Sequence, residues 1–312
     1  MFKIKKITSV ILTICVFMVF TGCSKTADPK VDNSNSGTIT SYPLTFVDSN
    51  KKTITIEKKP ERIVSLAPNI TETIFALGQG KSLVGRTDYC DYPQEAISVD
   101  SVGSITKPNI EKIIELKPDL VISSKLLNED VITKLETLKI KIIVINGAAN
   151  FDGVYDSITN IGNILNVNLE AKSIITGMKS KVEIVKDKVK SAEKPSVYYV
   201  VGYGKTGDYT ATKDTFIGEM IEMAGGINAA DDATGWKYSI EQLVQKNPDI
   251  LICRNNKDDK EGIENTVGYK DLTAVKTGKL LEIDNNFLDI QGPRLADGLY
   301  KLAELIHPEL FK

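Results

Sequence analysis

What most constrains this chain is a repeat inside it. Pro108-Asn109-Ile110-Glu111-Lys112-Ile113-Ile114-Glu115-Leu116-Lys117-Pro118-Asp119-Leu120-Val121-Ile122 and Tyr238-Ser239-Ile240-Glu241-Gln242-Leu243-Val244-Gln245-Lys246-Asn247-Pro248-Asp249-Ile250-Leu251-Ile252 follow one pattern. Each has a capping residue, a short amphipathic segment, a Pro-Asp turn and an apolar run. Ile110 aligns with Ile240, Glu111 with Glu241, Pro118 with Pro248 and Asp119 with Asp249. One supersecondary unit found twice predicts two halves built on a common plan. The surrounding sequence fits that plan. A polar turn joins 44–47 to 53–56 as a hairpin, and from Arg62 short apolar strands at 63–66, 120–122 and 141–145 alternate with helices. One helix is expected over 69–77, ended by Gly78. Strand and helix in alternation predict an α/β fold of mostly parallel sheet with helices on its faces.

Between the repeats, Ala171, Ile174, Ile175, Met178, Val182, Val185 and Val189 recur at three-and-four spacing. That spacing predicts one long helix over 168–192, roughly 37 Å at 1.5 Å per residue. Such a helix can join two lobes as a stiff strut, with a surface helix of one large domain as the alternative. A second α/β region starts at 197–201 and closes with a helix over 293–305. The expected division is 42–167 for the first lobe, 168–192 for the connecting helix and 193–312 for the second lobe.

Lys3, Lys5 and Lys6 precede an apolar run over 7–20 and then Thr21-Gly22-Cys23. The run is short for a membrane span, which takes about 20 apolar residues. The layout is that of a lipoprotein signal peptide over 1–22, with Cys23 as the lipidated residue. Residues 24–41 are rich in Ser, Thr, Asn, Asp and Lys, as suits a tether. The expected location is therefore outside the cytoplasm, on the cell membrane through a lipid anchor.

Removing residues 1–22 takes away three lysines and no acids, leaving 36 basic against 41 acidic side chains. That mild acidity opposes nucleic acid as a partner. Of the four cysteines only Cys90 and Cys253 remain beyond the signal and the anchor, without CxxC spacing. A disulfide framework is not expected, although the spacing does not forbid a bridge between these two. The single histidine, His307, is expected on the surface after the last helix. One histidine and two thiols oppose a direct metal or iron-sulfur site. No GxSxG elbow, phosphate-binding loop or His-based general base is present, and 202–207 lacks the GxxxxGK[ST] spacing, so an enzyme is not expected.

Ser65-Leu66-Ala67-Pro68-Asn69-Ile70-Thr71-Glu72, Thr87-Asp88-Tyr89-Cys90-Asp91-Tyr92-Pro93 and both repeat units together resemble the substrate-binding proteins of cobalamin and ferric-siderophore ABC importers. The resemblance runs from about Arg62 to Leu310. It implies two rigid α/β lobes joined by one long helix, a ligand in the cleft and no resident cofactor. It also implies a monomer that delivers cargo to an ABC permease dimer with its ATPase subunits. One glutamate per lobe docks on the permease in that family, which carries over to Glu111 and Glu241. From the residues alone, an acid in a helix's first turn needs no partner, because it complements the helix dipole.

For the cleft, the resemblance points to Tyr89 and Trp236, the latter with a one-residue offset. Tyr203, Tyr209 and Phe287 lie near strand ends. Arg86 and Arg294 are the cationic candidates, suited to carboxylate, phosphate or amide oxygens. Where cobalamin binders of this kind place a tryptophan, this chain has Gly103-Ser104-Ile105-Thr106. A corrinoid is the expected ligand, and a ferric siderophore is the alternative.

Overall fold

The computed structural model describes residues 39–124, 127–147 and 149–312. Strands β1 (Leu44–Val47) and β2 (Thr53–Ile56) form the antiparallel hairpin expected from sequence, with Phe46 facing Ile54. Its turn is fixed by Asp48, whose carboxylate accepts the N–H groups of Asn50, Lys52 and Val144. The chain then passes through β3 (Ile63–Ser65), α1 (Pro68–Ala76), β4 (Leu83–Arg86), α2 (Ile110–Glu115), β5 (Leu120–Ser123), α3 (Glu129–Thr137), β6 (Ile142–Val144) and α4 (Phe151–Ile164). These strands make a parallel sheet in the order β4-β3-β5-β6. Every residue in β3, β5 and β6 is buried, as parallel strands covered on both faces require.

Helix α5 (Asn168–Val189) is the long helix, 22 residues or about 33 Å. Ala171, Met178, Val182, Val185 and Val189 form its buried stripe. It packs on α4 on one side and on the last helix on the other. The second half runs β7 (Ser196–Gly202), β8 (Tyr209–Thr210), α6 (Phe216–Met223), β9 (Ile227–Asn228), α7 (Ile240–Lys246), β10 (Ile250–Arg254), α8 (Lys257–Asn265), α9 (Thr273–Lys276), β11 (Leu280–Ile283), α10 (Asn286–Asp289) and α11 (Leu295–Ile306). Its sheet has the order β11-β10-β7-β8, with β9 also beside β7 and only β8 antiparallel.

One apolar cluster joins the inner faces of both sheets through α4, α5 and α11. Smaller clusters lie under α2 and α3 in the first half and under α7 and α8 in the second. His307 departs from expectation. It is buried rather than on the surface, with Nε2 3.1 Å from the Gly225 carbonyl oxygen. Gly225 holds a φ of +86°, and its missing side chain leaves room for the imidazole, which a Cβ would meet at 2.7 Å. Cys90 and Cys253 are both free and buried.

Candidate functional site

The two repeat units share one pattern of connections. In the first, Asn109 caps α2 by accepting the Lys112 N–H; in the second, Ser239 caps α7 by accepting the Gln242 N–H. Each helix ends in a left-handed residue, Lys117 at φ +47° and Asn247 at φ +41°, which turns the chain into Pro-Asp. Each aspartate then fastens the first parallel strand of its half. Asp119 accepts the N–H groups of Glu61 and Arg62 just before β3, and Asp249 accepts the N–H and the hydroxyl of Ser196 at the start of β7.

This wiring places both docking candidates at the cleft end of their sheets. The Asn109 N–H bonds Val102, whose own N–H bonds Arg86 at the C-terminal end of β4. In the second half, Tyr238 N–H bonds Asp208 and Lys237 bridges Tyr209, which pairs with Gly202 at the C-terminal end of β7. Glu111 and Glu241 therefore start helices beside the C-terminal ends of strands, and both are exposed.

The C-terminal ends of β3, β5 and β6 open onto a cavity of about 400 Å³. The first half contributes Asn69 at the start of α1, Ile105, Ser124 after β5, and Asn146 after β6. The second contributes Asp289 at the end of α10 and Ile290 and Gln291 just after it. A crevice outside the carboxyl ends of parallel strands is where an open α/β sheet binds ligands. Among the described lining residues, the one charged side chain is Asp289; Asn69, Asn146 and Gln291 add amides and Ser124 and Ser157 hydroxyls to a lining that is otherwise mostly apolar. The Asn285 amide donates to Asp289 at 2.6 Å. Partial desolvation raises the Asp289 pKa, although the side chain keeps contact with solvent, with the Asn285 bond and Arg254 pulling the other way.

None of the sequence-selected contacts lines this cavity. Arg86 is spent on its own loop, donating to the carbonyl oxygens of Thr87, Ala96 and Ile97. Arg294 is also engaged rather than open to an anionic ligand. Its guanidinium forks onto Glu72 of α1, Nε to Oε2 at 2.9 Å and NH2 to Oε1 at 2.5 Å. It is sandwiched between Tyr92, with the ring centre 3.7 Å away, and Phe287 at 5.0 Å. Glu72 is 3% exposed, so this pair is a buried tie between the start of the first half and the end of the second. Burial raises the Glu72 pKa and Arg294 offsets only part of that rise. For Arg294, burial pulls downward, but the bond to Glu72 prevails and raises it.

Phe287 and Arg294 line a second cavity with Tyr92, Tyr300 and Lys301. Tyr203 packs edge-on against Tyr269 and leaves no room for a Cβ at Gly262 of α8. Tyr209 pairs with Gly202 and lies over Gly207. Tyr89 is exposed on the loop after β4. Trp236 is partly exposed at a φ of +72°, unusual for a bulky residue. Asp214 holds that turn by accepting the Gly235 N–H, while the Thr212 hydroxyl accepts the Trp236 N–H.

Sequence reasoning missed Asp289, Asn69, Asn146 and Gln291. Their signal was position, immediately after strands or at a helix start, rather than residue type. Among the described residues no group of three His, Cys, Asp or Glu side chains is placed to hold a metal ion. No helix among them is long and apolar enough to cross a membrane. Cys23 and the proposed signal lie outside the described residues.

The periplasmic binding protein family model matches residues 63–287. A Bacillus subtilis protein named uncharacterized ABC transporter substrate-binding lipoprotein YvrC is 35% identical, over 95% of each chain. A cobalamin-binding protein of Halobacterium salinarum is 28% identical, over 96% of this chain and 84% of its own. A solved structure from Staphylococcus epidermidis, described as a possible iron-binding periplasmic solute-binding protein, is 31% identical with a TM-score of 0.70. It covers 80% of this chain and all of that one.

Proposed function

The chain belongs to the periplasmic binding protein family, as the substrate-binding component of an ABC importer, and from there we propose that its cargo is a corrinoid. The observation that carries the reading is the chemistry of the cleft cavity: a largely apolar lining that carries one carboxylate and three primary amides. Corrinoids are edged with carboxamides, which donate N–H groups and offer carbonyl oxygens. Asn69, Asn146 and Gln291 can pair with both, and Asp289 accepts the N–H groups. Hydrogen bonds to an ionised acceptor are stronger than neutral ones, so Asp289 would dominate recognition. An anionic ferric complex would meet Asp289 as a like charge. Both arginines expected to receive such a complex are engaged inside the protein. The cobalamin-binding relative supports the same cargo.

In this reading each sheet anchors one lobe, α5 joins the lobes, and Tyr89 and Trp236 are rim aromatics. Glu111 and Glu241 dock on the permease, and Cys23 carries the lipid anchor. A ferric complex is the second reading, favoured by Ile105 in place of an aromatic wall and by the Staphylococcus structure. Trp236, the single tryptophan, gives the test. Protein beginning at Cys23 should show saturable quenching of Trp236 fluorescence with cyanocobalamin, and Trp236→Ala should weaken cyanocobalamin binding measured by calorimetry. Saturation by a ferric siderophore without a cyanocobalamin response would select the second reading.

A further inference from the structure

The docking helices share more than their glutamates. Three residues after each acid comes an apolar side chain that the fold leaves in water: Ile114 is 44% exposed on α2 and Val244 is 45% exposed on α7. The preceding residues, Ile113 and Leu243, are fully buried, so the inward demand of each helix is already met. Residues three apart stand on one face of a helix, which puts Glu111 with Ile114 and Glu241 with Val244. One exposed aliphatic residue means nothing by itself. Two of them, at equivalent positions of the repeat, at matching exposure and spacing from an exposed acid, are a surface presented twice.

We infer that the permease reads each half through an acid–apolar pair, Glu111 with Ile114 and Glu241 with Val244, taken up by two equivalent pockets of a two-fold symmetric dimer. The inference rests on the proposed docking role of the two glutamates and adds the residues that supply affinity. A surface repeated within one chain fits a partner that offers the same pocket twice. The acids require that pocket to have a basic or N–H-bearing rim, and the aliphatic residues require an apolar floor. A second copy of this chain is a poorer occupant, because packing equivalent faces together would set acid against acid. The second-half patch is the broader one: Gly268 packs against Ile240 and Val244, and its neighbour Val267 is 77% exposed. Desolvation of the aliphatic members would supply most of the affinity, while exposed acids set register.

Photo-crosslinking in the protein's own membrane tests this without a cargo. The probe is p-benzoylphenylalanine, placed one site at a time at positions 111, 114, 241 and 244 of the full chain. The expected result is crosslinking of 114 and 244, in comparable yield, to one ABC permease polypeptide identified by mass spectrometry. Crosslinks to the permease from 111 and 241 but not from 114 and 244 would overturn the inference and leave the docking role standing. No permease adduct from any of the four positions would overturn both. Adducts between two copies of this chain would assign the patch to self-association instead. As a second readout, Ile114→Ser with Val244→Ser should weaken permease capture roughly tenfold, in line with loss of a central interface anchor, with thermal stability unchanged. Unchanged capture would contradict the inference.

Discussion

The two halves agree at the proposed docking helices and differ at the walls of the proposed ligand cleft. Helices α2 and α7 share a cap, a first-turn glutamate, an exposed aliphatic residue, a left-handed exit and an aspartate that fastens the neighbouring strand. The cleft walls share none of this. The first half brings neutral groups to the cavity, Asn69, Ser124 and Asn146, whereas the second brings the carboxylate of Asp289. A partner with two equal sites, as proposed, would hold these faces alike. A ligand without two-fold symmetry leaves the walls free to diverge.

The sharpest way to break this comparison is to remove both acids. Glu111→Ala with Glu241→Ala should reduce cyanocobalamin uptake by cells to that of a strain lacking the protein, with binding to the purified protein intact. The two single variants should be impaired to a similar extent, and a large inequality between them would argue against equivalent docking.

The next largest effect concerns the tie that holds the unlike walls together. Glu72→Ala leaves Arg294 buried without its carboxylate and should cost roughly 3 to 5 kcal/mol in urea unfolding. Replacing Glu72 and Arg294 together with methionine should restore much of that loss. If it does not, the guanidinium's stacking between Tyr92 and Phe287 contributes more than the charge pair.

How far the sequence reveals this asymmetry follows from the physics. The repeat, the strands and the long helix were legible because periodicity and capping act within a few residues. The Glu72–Arg294 pair joins positions 222 apart, and no local pattern announces it. Arg294 was visible as a cation at a helix start, but its partner was not. The cleft residues were missed for a related reason. Aromatic and cationic side chains stand out in a sequence, whereas Asn69 and Gln291 matter only through the crevice they share. His307 was misplaced because its burial depends on a glycine 82 positions away.

Asp289 and Asp249 sharpen the contrast within the second half, since their pKa values move in opposite directions. Asp289→Asn should weaken cyanocobalamin binding about tenfold, the usual scale for one charged hydrogen bond. Its raised folded-state pKa means that its contribution to stability is fullest below the unfolded value near 4 and is lost as pH rises through the folded value. The ligand-free Asn variant should therefore melt slightly higher at neutral pH. The pKa of Asp249 is lowered by the backbone N–H and hydroxyl of Ser196. Its contribution is present above about pH 4 and lost as pH falls through the lower folded value. Asp249→Asn should flatten the acid limb of the stability curve and leave cargo binding unchanged. Matched melting curves from pH 3 to 8 would expose either sign as wrong.

Parallel calorimetric titrations with cyanocobalamin and ferric citrate test the amide-and-carboxylate cleft most directly. Protein beginning at Cys23 should bind cyanocobalamin saturably, and Asp289→Arg should abolish that binding while the fold is retained. Tight binding of ferric citrate by the unsubstituted protein, with no heat from cyanocobalamin, would contradict it.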